Sequence, residues 1–215
     1  MRAWWLIGLL ALSAIAPQNP PQGAGRGRLF KPEELGQLEG PDRDNWQQPE
    51  RIMDTLGIAD GAKVADLGAG GGWFTERLAR RVGPNGLVYA EDIQLPMLTS
   101  IERRMTRIGL KNVRITLGTP TDPKLPTGAL HAVLAVDMYS QLGDPVTLLT
   151  NVRAALAPNG RLGIVDFLPG SGGPGPPPEE RVDADTIVRD AKRAGLKLKS
   201  HETFLRYQYL LVFVR

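Results

Sequence analysis

Several residue types that build common functional sites are scarce in this chain of 215 residues. It has no cysteine, which excludes disulfides, thiolate metal sites and a lipid-modified cysteine anchor. Its two histidines, His131 and His201, argue against a histidine metal centre, so we predict no metal site. The net charge is only +3 and no basic block is present, so we expect no nucleic-acid partner.

The chain begins with an apolar run that is short for a membrane span. Arg2 precedes the apolar residues 3–15, and Ala14-Ile15-Ala16 fits the small-x-small pattern of a cleavage site. We therefore predict that residues 1–16 are a signal peptide or N-terminal anchor, which implies a periplasmic or membrane-associated protein. If they form instead a helix packed on the domain, we expect a cytoplasmic protein. Residues 17–30, rich in proline and glycine, are predicted to be a linker, and residues 31–215 a single domain.

Beyond the linker, apolar segments alternate between strand and helix patterns, which is typical of an α/β fold. The near-continuous apolar run 132–136 predicts a strand buried on both faces of a parallel sheet. A helix at 184–194 precedes strands at 196–200 and 207–214 with no helix between them, which predicts a C-terminal antiparallel hairpin. The glycine and proline tract 169–178 has too few apolar residues to join the core.

Residues 63–74, K-V-A-D-L-G-A-G-G-G-W-F, predict a buried strand, a glycine loop and the start of a helix. A ligand can approach bare backbone there, near the unpaired N–H groups of the helix N-terminus. The dinucleotide fingerprint G-x-G-x-x-G/A is disfavoured, because its sixth position would be the bulky Trp73. Gly68, Gly70 and Gly72 give G-x-G-x-G, with Asp66 two residues ahead. This pattern resembles motif I of class I S-adenosylmethionine-dependent methyltransferases, whose cationic cofactor suits a nearby carboxylate.

The second predicted strand, 87–90, ends at Glu91-Asp92, about 20 residues past the glycine loop, where an acid can bond a ribose diol. The stretch from Asp92 to Leu98 matches the D-I-x-x-x-M-L pattern of the same family. We assign the ribose to Asp92, with Glu91 as the alternative.

After the third predicted strand, 113–117, the chain departs from the family pattern. Many members place an acid and a backbone N–H after this strand to bind adenine, but this chain has Thr119 and Pro120, and proline has no N–H to donate. The Thr119 hydroxyl or the Asp122 carboxylate could bond the adenine amino group instead.

The resemblance implies a doubly wound, mostly parallel seven-stranded sheet and an enzyme that transfers a methyl group from S-adenosyl-L-methionine to a small-molecule acceptor. The catalytic residues stay unknown, because methyl transfer depends mainly on holding the reactants in line. Tyr139 and Gln141 follow the fourth strand and are expected to face the acceptor, and Trp46 and Arg51 either fold over the ligands or pack structurally. The expected cofactor-binding residues are Asp66, Gly68, Ala69, Gly70, Gly72, Glu91, Asp92, Ile93, Thr119, Pro120 and Asp137.

Two other functions stay open at this point. One is a nicotinamide-dependent oxidoreductase, which Trp73 and the antiparallel ending disfavour. The other is a non-catalytic cofactor-binding protein of the same fold, which the Thr119-Pro120 departure favours.

Overall fold

The computed structural model describes residues 29–31, 36 and 40–215. The predicted signal segment, residues 1–16, and the predicted linker up to residue 28 lie outside the described residues. Within the described ranges, no helix has the length and apolar character needed to cross a membrane.

Helices and strands alternate along the described chain as the sequence predicts. The helices are α1 (Arg43–Gln47), α2 (Pro49–Leu56), α3 (Trp73–Val82), α4 (Leu95–Ile108), α5 (Pro145–Ala155) and α6 (Ala184–Arg193). The strands are β1 (Lys63–Leu67), β2 (Leu87–Asp92), β3 (Val113–Leu117), β4 (Leu130–Val136), β5 (Leu156–Phe167), β6 (Lys197–Glu202) and β7 (Gln208–Val214).

The strands form one seven-stranded sheet in the order β3-β2-β1-β4-β5-β7-β6. The first five run parallel, and β7 lies antiparallel between β5 and β6. This arrangement confirms the doubly wound sheet with an antiparallel C-terminal hairpin. The strand order reverses between β1 and β4, and ligands of such sheets bind in the crevice outside the carboxyl ends of the strands at that point.

Two apolar layers cover the sheet. Helices α2, α3 and α4 pack on one face, where Val64 and Leu134 are fully buried. Helices α5 and α6 pack on the other face, over Val133 and Leu211. Because successive strand residues point to opposite faces, the apolar run of β4 supplies both layers, which is why it shows no alternation with polar residues.

The structure differs from the predicted elements at two places. The sequence pattern predicts a helix over 98–108, whereas α4 begins at Leu95. It also predicts a turn at 157–160 before a strand at 161–166, whereas β5 begins at Leu156 and includes that turn. The pairing of β4 with β5 shifts register between Leu130 and Ala132, so the turn 157–160 bulges out of the strand. Gly160 allows this bulge, because a Cβ there would stand 2.5 Å from the Leu130 carbonyl oxygen.

Candidate functional site

A cavity of about 540 Å³ opens at the carboxyl ends of β1, β2 and β4, where the strand order reverses. Its size lies in the range of small-molecule sites. Its floor is the glycine loop between β1 and α3. Its walls include residues 29–31, the start of α1, residues 91–94, the loops after β3 and β4, and residues 175–177.

Three glycines of the loop adopt left-handed backbone conformations, with φ of +67° at Gly68, +53° at Gly70 and +81° at Gly72. Other residues rarely adopt these angles, so the alternating glycines are a backbone requirement. A Cβ on Gly72 would stand 3.0 Å from Ile101, whereas a Cβ on Gly70 would have no neighbour within 4 Å. Gly72 therefore packs against α4, and Gly70 faces the cavity.

Asp66 lies at the end of β1 and is 3% exposed. Its Oδ2 accepts a hydrogen bond of 2.6 Å from the Thr75 hydroxyl in the first turn of α3. Burial raises the pKa of Asp66 to about 6, although the Thr75 hydrogen bond and the charge of Arg43 act in the opposite direction. At neutral pH this carboxyl is therefore mostly ionised, and a cation beside it would lower its pKa further.

Glu91 and Asp92 end β2, and their carboxyl groups hold the glycine loop in place. The Gly68 N–H donates to Glu91 Oε2 at 3.3 Å, and the Gly70 N–H donates to Asp92 Oδ2 at 3.0 Å. Burial raises the pKa of Glu91 to about 8, so its carboxyl is mostly protonated at neutral pH. Burial also raises the pKa of Asp92, against hydrogen bonds from the Gln94, Gly70 and Ile93 backbones.

Asp137 follows β4 in a left-handed conformation, with φ of +54°. A non-glycine residue there is uncommon, and such strain is often found at binding sites. Asp137 lines the cavity, and burial with the nearby charge of Asp166 raises its pKa well above the usual range. Burial raises the pKa of Asp166 itself to about 7.

The loop after β3 satisfies its own polar groups. The Thr119 hydroxyl accepts from the Asp122 N–H at 3.0 Å, and the Asp122 carboxylate accepts from the Lys124 ammonium at 2.5 Å. Thr119 and Pro120 line the cavity, but Asp122 does not and its carboxylate is exposed. Asp122 is therefore engaged outside the cavity in this conformation.

The structure separates the two residues that were expected to face the acceptor. Gln141 lines the cavity, where its Oε1 accepts from the Phe30 N–H at 3.0 Å. Tyr139 does not line it, since its ring is 4% exposed and its hydroxyl donates to Asp190 Oδ2 of α6 at 3.0 Å. The short 3-10 turn at residues 139–141 points Tyr139 into the core, and its neighbours Met138 and Ser140 line the cavity instead. Tyr139 is therefore excluded as an acceptor-facing residue.

Eleven of the thirteen expected residues line the one cavity; Gly72 and Tyr139 do not. The eleven are Asp66, Gly68, Ala69, Gly70, Glu91, Asp92, Ile93, Thr119, Pro120, Asp137 and Gln141. The structure therefore places these predicted residues around one cavity. Their roles in binding a ligand stay predictions. Among residues 29–31, 36 and 40–215, no group of three or more histidine and acidic side chains could hold a metal ion.

Sequence reasoning missed parts of the cavity wall that come from distant segments. Arg43 of α1 lines the cavity, whereas Trp46 packs 6.0 Å from the Phe167 ring and Arg51 stacks 4.1 Å from the Phe204 ring, both outside it. Trp46 and Arg51 thus pack structurally. The Phe30 carbonyl accepts from Gln94 Nε2 at 3.0 Å, which ties residues 29–31 across the cavity. No local pattern in the sequence predicts these long-range contacts.

The glycine and proline tract stays out of the core, as expected, but its end forms part of the wall. Gly175, Pro176 and Pro177 line the cavity. Arg181 holds this tract, because its guanidinium donates to the backbone carbonyls of Leu168 at 3.1 Å and Pro176 at 2.9 Å. Arg181 therefore ties the tract to the end of β5, and Gly175 lies against the Phe167 ring.

The raised pKa of Glu91 predicts a specific pH dependence of stability. A carboxyl with a pKa near 8 in the folded protein stabilises it below about pH 4.5, the ordinary value, and this contribution is lost as pH rises to 8. Glu91→Gln removes the titration and keeps an acceptor for the Gly68 N–H. Urea unfolding from pH 5 to 8 should therefore show a shallower loss of stability, by up to about 1.4 kcal/mol per pH unit. The exposed Glu102→Gln serves as control and should retain the wild-type slope, and an equal slope in Glu91→Gln would contradict the assignment.

Comparison with known proteins gives a consistent family. The family model described as "Methyltransferase domain" matches residues 64–160. Nocamycin O-methyltransferase of Saccharothrix syringae is 31% identical over 131 residues, 61% of this chain and 44% of the relative. The ubiquinone/menaquinone biosynthesis C-methyltransferase UbiE of Pasteurella multocida is 29% identical over 54% of this chain and 43% of the relative. The chain thus spans less than half the length of these curated relatives.

Solved structures extend the likeness to the whole sheet. A SAM dependent methyltransferase from Aquifex aeolicus superposes with a TM-score of 0.82 at 25% identity, covering 86% of this chain and 98% of that chain. The [4+2]-cyclase SpnF has a TM-score of 0.63 at 17% identity, covering 73% of this chain and 58% of that chain, which shows the fold alone. Residues 64–160 thus match a methyltransferase domain, and most of the chain shares the fold of a SAM dependent methyltransferase.

Proposed function

We propose that the protein transfers a methyl group from S-adenosyl-L-methionine to a small organic acceptor bound in the same cavity. One observation carries this proposal: the glycine loop, the two acids Asp66 and Asp92, and the apolar wall after β4 all line a single cavity. We therefore place a nucleoside site and an acceptor site next to each other, at the edge of the sheet where the strand order reverses between β1 and β4.

The residues present fit the cofactor. Asp92 lies next to the glycine loop and has carboxylate oxygens for a ribose diol, and Ile93 beside it offers an apolar surface for adenine. Gly70 has no Cβ to exclude a ligand from the floor, and open space surrounds it on that side. Asp66 supplies a carboxyl that would pair with the cationic half of the cofactor. When bound, the cofactor supplies a methyl group on a sulfonium, which is already activated for transfer.

The protein's own contribution is then to hold the acceptor in line and to exclude water. Phe30 crosses the cavity with its N–H bonded to Gln141 and its carbonyl to Gln94, so one residue links the loop after β4 with the loop after β2. Pro176 and Pro177 close the opposite side. These walls border the space next to Met138 and Gln141, where we place the acceptor.

The apolar character of that space favours a small, largely apolar acceptor. Met138, Leu142 and Leu148 line the cavity on the side of β4. The printed names of two relatives, a nocamycin O-methyltransferase and a quinone-biosynthesis C-methyltransferase, are compatible with small-molecule acceptors. A non-catalytic cofactor-binding protein of the same fold is the second candidate, which the Thr119-Pro120 departure favours.

For the location of the protein, we propose export or retention at a membrane surface. Arg2 and the apolar residues 3–15 support this proposal. Fractionation of cells that make the natural chain, with mass spectrometry of the mature N-terminus, should find the protein outside the soluble cytoplasmic fraction. An intact Met1 on soluble cytoplasmic protein would contradict it.

Calorimetry with S-adenosylhomocysteine, the demethylated form of the cofactor, tests the nucleoside site. We expect binding to the wild-type protein and a loss of about tenfold or more in Asp92→Ala, because a charge-assisted hydrogen bond contributes about 1.5–3 kcal/mol. Asp122→Ala is the matched control, since Asp122 lies at the end of the neighbouring strand but outside the cavity. No binding to the wild type would reject the proposed function, and equal binding by Asp92→Ala would reject the ribose assignment alone.

The protein should bind adenine more weakly than it would if an acid stood at position 119, after β3. The Thr119 hydroxyl is bonded within its own loop, and Pro120 has no N–H, so adenine should be held mainly by apolar contact with Ile93 and Pro120. Thr119→Asp should then tighten cofactor binding by up to about tenfold, because one additional hydrogen bond contributes roughly 1 kcal/mol. Thr121→Asp, two residues further along the same loop and outside the cavity lining, should leave the affinity unchanged. If neither variant changes affinity, adenine lies elsewhere.

A further inference from the structure

Four large apolar side chains are exposed in the part of the chain that the structure describes: Leu29 (41%), Leu95 (62%), Leu117 (52%) and Leu198 (43%). A single exposed leucine is ordinary on a protein surface. Three of the four, however, lie at the carboxyl edge of the sheet, where the cavity opens. Leu117 is the last residue of β3, Leu95 is the first of α4, and Leu29 lines the cavity. We call these three the rim leucines.

Hydrogen bonds and strand pairing hold the rim leucines on one side of the cavity mouth. The Phe30 carbonyl accepts from Gln94 Nε2 at 3.0 Å, and these two residues are the chain neighbours of the first two rim leucines. The third, Leu117, pairs in register with Asp92. The Asp92 carboxylate accepts from the Gln94 N–H at 2.8 Å. Gln94 therefore connects the segments that carry all three.

Leu117 also faces the side of the sheet on which Leu95 lies. Successive residues of a strand point to opposite faces, so Leu117 shares its face with Val113 and Ile115. Those two side chains pack with the buried residues of α4. Leu95, at the start of α4, is therefore on the same face as Leu117.

Leu198 lies at the opposite edge of the sheet. Strand β6 runs parallel to β5, because both are antiparallel to β7. Lys197, just before Leu198, pairs with Val214, and so does Arg161 on the other side of β7. Leu198 is therefore level with the amino-terminal part of β5, away from the cavity, and it serves as a natural comparison.

The sequence before Leu29 suggests what covers the rim leucines. Residues 3–15 are apolar, and residues 16–28 connect them to Leu29 at the cavity mouth. An extended chain spans at most about 3.5 Å per residue, so this connection reaches no further than about 45 Å. An apolar segment held at a membrane would therefore keep the rim leucines close to the same membrane surface.

We propose that the rim leucines rest on a phospholipid bilayer, so that the cavity opens toward the membrane. The proposal deepens the proposed location, because it names the face that meets the membrane. Leucine side chains enter the boundary between lipid headgroups and acyl chains, and the exposed Lys31 beside them meets the headgroup phosphates. For the acceptor, the proposal rests on the proposed function: an acceptor with an apolar tail enters the cavity from the lipid.

The lack of cysteine allows each edge of the sheet to be labelled separately. In the full chain, Leu95→Cys, Leu117→Cys and Leu198→Cys each carry one polarity-sensitive fluorescent label. Vesicles of phosphatidylcholine with a minor fraction of phosphatidylglycerol are added, with and without a lipid that bears a nitroxide quencher in its acyl chain. We expect the labels at positions 95 and 117 to shift to shorter wavelength and to be quenched, and the label at position 198 to do neither.

Unlabelled variants test the leucines themselves. The double variant Leu95→Ser, Leu117→Ser should bind the vesicles about tenfold more weakly than the wild type in sedimentation, because it removes apolar area from the contact. Leu198→Ser is the matched control and should stay within about twofold of the wild type. Thermal unfolding and S-adenosylhomocysteine binding should be unchanged in these variants, because the substituted side chains are exposed and lie outside the cavity lining.

A response at positions 95 and 117 alone, with weaker binding of the double variant, supports the proposal. An equal response of all three labels, a response at position 198 alone, or wild-type vesicle binding by the double variant overturns it. A shift at position 95 without vesicles, together with a dimer in analytical ultracentrifugation, would show that a second copy of the chain covers the rim leucines and also overturns it.

Three results separate this proposal from the earlier ones. Vesicle binding without a response of any label overturns the proposed face and leaves the proposed location standing. No vesicle binding by the wild type overturns both. A wild-type protein that docks as expected but does not bind S-adenosylhomocysteine overturns the proposed function and leaves the docking of the rim leucines standing.

Discussion

The hydrogen bonds from the glycine loop to the carboxyl groups of β2 are the constraint on which the rest of the site depends. A buried carboxyl is costly unless it is protonated or bonded, and the N–H groups of Gly68 and Gly70 bond Glu91 and Asp92. These N–H groups reach the carboxyls because the loop adopts left-handed angles at alternating positions, which only glycine does readily. The same bonds fix the floor of the cavity, the entry into α3 and the spacing between β1 and β2.

The cavity is built from the matched family region and from segments outside it. Residues 64–160 contain the glycine loop, the β2 acids and the loop after β4. Residues 29–31, Arg43 and the wall formed by Gly175 and Pro176 lie outside that range, and they enclose the space next to the nucleoside site. Function in such folds resides in sites added to a common scaffold. Under the proposed function, the choice of acceptor therefore depends in part on segments outside the residues that the family model matches.

The sequence predicts what depends on local pattern. The apolar run of β4, the G-x-G-x-G spacing and the acid at the end of β2 each have a cause within a few residues, and the structure brings them to one edge of the sheet. Tyr139 was misassigned because the direction of a side chain in a 3-10 turn does not follow from its distance to the strand end. Arg43 and Phe30 were missed because their contacts join residues far apart in the chain, such as Phe30 and Gln141. The start of α4 differed by one turn, since Pro96 fits the first turn of a helix and does not delay it.

The central claim is that one cavity holds the cofactor and the acceptor side by side at the reversal of the strand order. A crystal structure of the protein with S-adenosylhomocysteine tests this claim most directly. The account predicts the ribose at Asp92, the amino-acid group near Asp66, and open space remaining between the sulfur and Gln141. A nucleoside bound away from the glycine loop, or a sulfur facing Asp190 or another part of α6, would contradict it.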